Sequence, residues 1–353
     1  MRPKLARREK RAAKVATRQF AYFNARVLAM RGRLLPKETY SKFLQMEIPE
    51  IARSLGESEY KTEIEQLGKR YRGVDLVEYS LNRNLAKTFH GLIKKAMGEL
   101  QELLVDYMRY YDIENITTVL RGKLSGIKED ELREALIPAG ALPEAELNRL
   151  IEASYDETLE MLRKMGYAHA VEWLTDRPLP EVEDLLIRDY YSTLLEDTSG
   201  GSKNMKMFNE FVRMEIDFMN LINFLRLKRD AEAPGKVMEY MIDGGALLPM
   251  NKLKALASME LDEVLTSVER LRYFRESPGA ITGVKDQLTQ LEAALLKFQL
   301  DHAVRVARQN PLSILVVLSY VLAKRSEVAN VRNIVRGKEG DLPTELIRAQ
   351  LVV

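Results

Sequence analysis

The pattern that decides the fold lies in the stretch Tyr111-Asp-Ile-Glu-Asn-Ile-Thr-Thr-Val-Leu-Arg-Gly-Lys123. An acidic residue is followed by an asparagine three positions later, by an arginine after nine positions and by a lysine after eleven. The three copies of this pattern comprise Asp112, Asn115, Arg121, Lys123, Asp217, Asn220, Arg226, Lys228, Glu327, Asn330, Arg336 and Lys338. Because the copies begin 105 and 110 residues apart, three related units account for nearly all of the 353 residues.

A second repeated feature is a Leu-Pro pair that opens a helical pattern in step with the first feature. The prolines are Pro36, Pro143, Pro249 and, opening a shortened copy, Pro343. Proline suits the first turn of a helix because its missing N–H has no helical partner there. The two features together predict three helical repeats that follow a basic N-terminal extension. The predicted divisions are 1–19 for the extension and 20–118, 119–223 and 224–353 for the repeats.

The spacing of apolar residues predicts an all-α protein. Such residues recur at three- and four-residue intervals along most of the chain, as in Leu103, Leu104, Tyr107, Tyr110 and Tyr111. The composition is 46% hydrophobic and 30% charged, which excludes a disordered chain. Since single cores usually stop growing near about 250 to 300 residues, more than one domain is expected.

The sequence excludes several classes of functional site. It contains no cysteine and only three widely separated histidines, so disulfides, thiol catalysis and a histidine-rich metal centre are ruled out. No glycine-rich phosphate loop of the usual spacing occurs. The 12 residues from Leu312 to Ala323 contain neither a charged side chain nor a polar amide, but a membrane span needs about 20, so this stretch is predicted to be a buried helix. We expect no cofactor, no metal and no catalytic residue.

Positive charge is concentrated at the N-terminus. Residues 1–18 contain eight lysines and arginines and a single glutamate, although the net charge of the chain is only +2. Three interpretations stay open for this segment: a solvated helical extension, a contact with anionic lipid, and nucleic-acid binding or a transit peptide. The segment contains no apolar run, which argues against a secretory signal.

The repeated polar residues lie on one face of a predicted helix, since positions three and four apart are neighbours there. An asparagine within a helix is disfavoured because its amide competes for backbone hydrogen bonds. In the structural interpretation, each asparagine binds backbone at the end of a neighbouring helix, and the arginine and lysine complement the helix dipole before Gly122 or Gly337. In the alternative, these side chains line a shared surface for a partner. A triplicated catalytic set is poorly supported, because neither a nucleophile nor a metal cluster accompanies it.

Three segments, taken in order, resemble one protein family. They are Tyr22-Phe-Asn-Ala-Arg-Val-Leu-Ala-Met-Arg-Gly-Arg-Leu-Leu35, the stretch from Tyr111 to Lys123, and Glu327-Val-Ala-Asn-Val-Arg-Asn-Ile-Val-Arg-Gly-Lys338 followed by Leu342-Pro343. They look like the C subunit of the archaeal and bacterial A/V-type ATP synthases, and are similar also to the d subunit of the eukaryotic vacuolar ATPase. The likeness extends from about Phe20 to the C-terminus. Two features depart from it: the basic extension, and Leu227, which replaces the glycine that follows the arginine in the other copies.

The resemblance implies a funnel-shaped protein of three similar helical domains in pseudo-threefold arrangement around a central cavity. It implies a non-catalytic, peripheral protein on the cytoplasmic face of the membrane, attached through the rotor ring. The cavity would receive the foot of the central stalk, and the protein would transmit torque during ATP synthesis or hydrolysis coupled to transport of hydrogen or other ions. Three homologous units can close around an axis in this way, whereas an open solenoid needs polar caps at both ends.

Two other functions compete with this interpretation. The first is a helical scaffold that binds partners, including nucleic acid through the basic extension, although the balanced overall charge makes nucleic acid a poor expectation. The second is a helical hydrolase that uses acidic ligands.

Overall fold

The computed structural model describes residues 20–230, 232–274, 281 and 288–353, and within them it contains helices and no strand. The prediction of an all-α protein is therefore confirmed for this part of the chain. The basic extension at residues 1–19 lies outside the described residues. The helices are α1 (20–31), α2 (Lys37–Phe43), α3 (Ile48–Leu55), α4 (Lys61–Leu67), α5 (Gly73–Lys95), α6 (Glu99–Met108), α7 (Tyr110–Leu124), α8 (Glu129–Ala135), α9 (Glu144–Glu152), α10 (Tyr155–Leu162), a π-helical turn (Arg163–Tyr167), α11 (Ala168–Asp176), α12 (Leu179–Asp197), α13 (Lys203–Arg229), α14 (Pro234–Glu239), α15 (Met250–Ala257), α16 (Leu261–Glu269), α17 (Leu288–Gln309), α18 (Leu315–Glu339) and α19 (Thr344–Arg348).

The repeated prolines stand one residue before helices α2, α9, α15 and α19 rather than at their first position. Pro143 and Pro249 have φ of −63° and −64° with extended ψ, and their carbonyls accept the first hydrogen bonds of the helix. Proline fits there because its ring fixes φ and its carbonyl is free to accept. The apolar residues that follow are buried, as Leu147, Leu150 and Ile151 are in α9.

The repeated acidic, asparagine, arginine and lysine residues lie on the three helices α7, α13 and α18, called here the motif helices. Two of the predicted domain boundaries fall inside them, 118/119 within α7 and 223/224 within α13. Each of these two boundaries would cut a continuous helix.

Gly122 and Gly337 lie inside the last turns of α7 and α18 instead of ending them. They are needed for close packing, because a Cβ on Gly122 would come within 2.7 Å of the Leu132 side chain and one on Gly337 within 2.6 Å of Ile347. In both cases the contacted residue lies ten positions after the glycine in the sequence. The residue ten positions after Leu227 is the smaller Val237, which is buried.

The core is divided into two clusters of buried side chains. The larger one extends from α1 to α19, and a smaller one is formed by α7 to α12 alone, around Ile116, Leu147 and Leu162. The uncharged stretch predicted to be buried forms the start of α18, where Leu315 to Leu322 are all covered. α18 packs against both α5 and α17, which explains why its first turns are apolar on every side. In the described chain, none of the helices combines the length and apolar character that crossing a membrane requires.

Candidate functional site

Each repeated asparagine holds the backbone of one residue that lies 22 positions further along the chain. Asn115 donates from Nδ2 to the Ile137 carbonyl and accepts from the Ile137 N–H, both at 2.8 Å. Asn220 binds Ile242 in the same way at 2.7 and 2.8 Å, and Asn330 binds Val352 at 2.9 and 2.8 Å. The paired hydrogen bonds engage both the N–H and the carbonyl of the amide, which offsets the low helix propensity of asparagine.

The repeated acidic residue holds the segment that precedes each Leu-Pro proline. Asp112 accepts hydrogen bonds from the backbone N–H groups of Ala141 and Leu142 at 2.8 and 2.9 Å. Asp217 accepts from Leu247 and Leu248 at 2.7 and 2.9 Å. Burial raises the pKa of both carboxyl groups, while the backbone hydrogen bonds act to lower it.

A tyrosine accompanies the acidic residue in each copy, which the repeat pattern alone did not predict. The Tyr273 hydroxyl donates to Asp217 at 2.8 Å and the Tyr60 hydroxyl to Glu327 at 2.6 Å. Tyr167 lies near Asp112, and its pKa is raised to about 12 by burial and, to a smaller degree, by that carboxylate. The signal in the sequence is a tyrosine 55 or 56 residues after each aspartate.

Two glycines make room for the buried aspartates. A Cβ on Gly140 would stand 2.0 Å from Asp112 Oδ1, and one on Gly245 would stand 2.2 Å from Asp217 Oδ1. No side chain can occupy either position unless the carboxylate moves. The sequence therefore needs glycine two residues before a leucine in both segments, and the same spacing recurs at Gly32.

The repeated lysine and arginine connect each motif helix to two other helices. Lys123 Nζ donates to the Ile151 carbonyl at 2.8 Å, Lys228 to Ala257 at 3.0 Å and Lys338 to Leu44 at 2.9 Å, all near the end of the helix that follows the Leu-Pro pair. These hydrogen bonds satisfy carbonyl groups that have no partner within the helix at its C-terminus. The arginines pair with glutamates on long helices. The pairs are Arg121 with Glu183, Arg226 with Glu292 and Arg336 with Glu78.

The third motif helix, α18, obtains its partners from opposite ends of the described chain. Asn330 holds Val352, near the C-terminus, whereas Glu327 accepts from the N–H of Leu35 at 2.5 Å and Lys338 binds Leu44. Residues 35, 44, 60 and 78 were predicted to belong to the first repeat, yet they contact the motif of the third. The reason is geometric: α18 runs beside α5, so the N-terminal helices occupy the place that a following segment takes next to α7 and α13.

A cavity lies where the three motif helices meet. Two positions of every motif helix line it, the residue two before and the residue two after the repeated acid. These six residues are Tyr110 and Glu114 on α7, Glu215 and Met219 on α13, and Arg325 and Ala329 on α18. Positions four apart share one face of a helix, so each motif helix turns the same face towards the cavity. The cavity has a volume of about 320 Å³.

The three residues that precede the acid by two positions contact one another or a common neighbour. The Arg325 guanidinium lies 3.4 Å from Glu215 Oε1 and 5.2 Å from the centre of the Tyr110 ring. Glu215 also accepts a hydrogen bond from the Tyr107 hydroxyl at 2.7 Å. Burial raises the pKa of the Glu215 carboxyl, although Arg325 and Tyr107 both oppose that shift. A search for repeats misses these residues because their chemical types differ in the three copies.

Charged, aromatic and apolar side chains surround this cavity. Among the residues that the structure describes, no group of three or more His, Asp or Glu side chains could hold a metal ion. The twelve repeated residues make the contacts given above within the chain itself, and whether any of them also meets a partner stays a prediction.

Comparison with known proteins identifies similar chains. The sequence model of a family described as "ATP synthase (C/AC39) subunit" matches residues 23–350. The A-type ATP synthase C subunit of Methanosarcina mazei is 37% identical over 343 residues, which are 96% of this chain and 94% of the relative. Its counterpart from Haloferax volcanii is 37% identical over 94% of this chain and 97% of the relative, and that from Archaeoglobus fulgidus is 32% identical over 95% and 96%.

Proposed function

Because the chain belongs to the family of ATP synthase (C/AC39) subunits, we propose that it is a non-catalytic central-stalk subunit of a rotary A/V-type ATP synthase or ATPase. It links the membrane rotor ring to the central shaft and transmits torque during ion-coupled ATP synthesis or hydrolysis. The observation that carries this proposal is the cavity lined by the same two positions of all three motif helices. Family membership disfavours the alternatives of a helical scaffold that binds nucleic acid and of a hydrolase.

The proposal includes a funnel of three units in pseudo-threefold arrangement. Each unit comprises one motif helix and the segments that it holds. The proposed units are 110–197, 203–309, and 315–353 together with 20–95. Three equivalent helices that turn equivalent faces towards one cavity support this division, because an open row of units would leave the first and last helices without a common neighbour.

The contacts of the motif helices suit a part that must transmit torque without deforming. Each motif helix is fixed to neighbouring segments by its asparagine, acid and lysine, and most of these hydrogen bonds lie in buried or half-buried surroundings. Buried hydrogen bonds that are fully satisfied rigidify a structure because any distortion leaves polar groups without partners. A shaft held in the cavity would therefore turn the three units together.

The proposed partners are the central-stalk subunits, which enter the cavity, and the rotor ring subunits, through which the protein is attached to the cytoplasmic face of the membrane. No cofactor or metal is part of the proposal. Binding between rigid surfaces of this kind depends on shape and charge complementarity rather than on a reactive group.

The test is binding of the purified chain to the isolated central-stalk subunits of its own complex, measured by calorimetry. Ala329 lines the cavity, so Ala329→Trp fills part of it and should weaken binding at least tenfold. Ala255 on α15 is exposed, and Ala255→Trp serves as the matched control that leaves the affinity unchanged. Failure of the unmodified chain to bind the stalk subunits, or equal affinities for both variants, would contradict the proposal.

A further inference from the structure

The cavity is lined by equivalent positions of the three motif helices, but the side chains at these positions differ. The position two before the repeated acid is occupied by tyrosine on α7, glutamate on α13 and arginine on α18, namely Tyr110, Glu215 and Arg325. The position two after it carries glutamate, methionine and alanine, namely Glu114, Met219 and Ala329. In the proposed pseudo-threefold arrangement, an occupant that touched only the backbone could sit in three orientations related by one third of a turn, and the side chains remove that equivalence.

The accessible charged groups of the cavity are two arginines on α18 and one glutamate on α7, and this glutamate, Glu114, interacts electrostatically with Arg332. Arg325 and Arg332 on α18 keep 33% and 29% of their side chains exposed, whereas their carboxylate partners Glu215 and Glu78 keep 4% and 14%. Solvent therefore meets the cations and not the anions on the α18 side. Glu114 on α7 is exposed and lines the same cavity.

The ion pairs on the α18 side leave part of the positive charge unbalanced. Glu78 pairs with Arg332 at 3.7 Å and also with Arg336, so one carboxylate serves two guanidinium groups. The pair between Arg325 and Glu215 is long, at 3.4 Å, and Glu215 is also engaged with Tyr107. Met219 on α13 and Leu296 and Leu300 on α17 add an apolar side to the cavity.

We propose that these side chains select a single rotational orientation of the occupant, with Arg325 and Arg332 facing an acidic side chain and Glu114 facing a basic one. The inference rests on the proposed function, in which the foot of the central stalk enters the cavity. Charge complementarity fixes the register of an interface, and like charges brought together by the other two orientations oppose binding. Such a preference prevents the rotor from being assembled in three mechanically different ways.

The experiment measures orientation separately from affinity. The chain contains no cysteine, so Ser258→Cys on the exposed end of α15 gives a single site for a spin label. The second label is placed on one cysteine of the isolated stalk subunits, off their rotation axis, and pulsed electron resonance gives the distances between the labels in the complex. We expect a single distance, because a preference of about twentyfold or more over each of the other two orientations leaves about nine tenths of the complexes in one state.

Neutralising the charges should produce more than one distance between the labels. In Glu114→Gln/Arg325→Gln, two or three distances are expected from complexes that still form, and Arg325→Lys, which keeps the charge, should restore the single distance. Glu114→Gln alone changes an exposed residue and so keeps the test valid if the double variant unfolds; it should give a second, minor distance. A single unchanged distance in both neutralised proteins, or several distances in the unmodified complex, would overturn the inference and leave the proposed function standing. Absence of any complex with the unmodified chain would overturn both.

Discussion

The motif helices α7 and α13 each bind one continuous segment of the chain, whereas α18 binds two segments that are far apart in the sequence. Asn115 and Asp112 bind one continuous segment from Ile137 to Leu142, and Asn220 and Asp217 bind another from Ile242 to Leu248. α18 binds two separate segments, one with Val352 and one with Leu35. The same local geometry is thus built once from two pieces that are far apart in the chain, so it is set by the side chains of the motif and not by chain connectivity.

The discontinuous site also has a different chemistry. The acid is the longer glutamate instead of aspartate, and Lys324 is buried beside it with only 3% of its side chain exposed. Lys324 Nζ lies 2.6 Å from Glu327 Oε1 and 2.9 Å from the Tyr60 hydroxyl, and 4.2 Å from the centre of the Tyr60 ring. A buried ion pair thus accompanies the acid of α18, whereas backbone N–H groups of one continuous segment bind the acids of α7 and α13.

The largest effect is expected when this ion pair is broken. Lys324→Met should lower the free energy of unfolding by about 3 to 5 kcal/mol, because it leaves the Glu327 carboxylate buried without a cation. Urea unfolding followed by circular dichroism measures the change. In Lys324→Met/Glu327→Gln no charge stays buried, so the double variant should be more stable than the single one. An equally destabilised double variant would show that the ion pair is not the cause.

A smaller effect is expected from filling the space beside the aspartates. Gly140→Ala and Gly245→Ala should each cost about 2 to 3 kcal/mol, because the new methyl group displaces the carboxylate that holds the backbone. Gly32 occupies the equivalent place in the discontinuous site, where the nearest atom to an added Cβ is 3.5 Å away. Gly32→Ala should change stability by less than about 0.5 kcal/mol. Equal costs at all three positions in the same unfolding assay would remove this distinction.

Removal of the asparagine amide should distinguish the continuous from the discontinuous segment. Asn220→Ala leaves the N–H and carbonyl of Ile242 buried without partners, at a cost of about 2 kcal/mol. Asn330→Ala should cost less, about 1 kcal/mol, because the segment from Pro343 to Val353 can detach and be solvated. Hydrogen exchange should show fast exchange of this segment in Asn330→Ala and no matching change near Ile242 in Asn220→Ala. Protection of both segments in both variants would contradict the prediction.

The smallest effect is expected at the exposed ion pairs. Arg226→Ala and Arg336→Ala should each lower the free energy of unfolding by less than about 1 kcal/mol, since both guanidinium groups are more than half exposed. Thermal unfolding at low and at high salt checks this, and the difference between each variant and the unmodified protein should shrink as salt screens the pairs. A loss above about 2 kcal/mol would mean that these arginines do more than pair at the surface.

The sequence was sufficient for the helical class and for three copies of one motif, because identical residue types recur at identical spacing. It also contained the discontinuous site, since Gly32-Arg-Leu-Leu-Pro36 matches Gly245-Ala-Leu-Leu-Pro249. Order in the chain places this N-terminal segment in the first repeat, whereas its hydrogen bond is to the third motif helix. Spatial neighbours follow packing, and here α5 packs against α18 at the other end of the sequence.

The cavity residues could not be found from repetition. Tyr110, Glu215 and Arg325 occupy one register position but share neither charge nor shape, so a search for similarity ignores them. Their common position becomes meaningful only when the three helices are seen to turn the same face to one space. Residues that keep a fold are repeated because the same backbone must be held three times, whereas residues that distinguish the sides of a binding site must differ.

The discontinuous contact at α18 also determines where the molecule is mechanically weakest. Between α7 and α13, and between α13 and α18, neighbouring units are joined by the chain itself, but α18 and the helices from α1 to α5 are held together by non-covalent contacts alone. A force that separates the three motif helices is opposed by the connected chain between α7 and α13 and between α13 and α18. Between α18 and the helices from α1 to α5 it is opposed only by non-covalent contacts, including hydrogen bonds. The contacts among Glu327, Tyr60 and Lys324 are therefore the ones that such a force would break first.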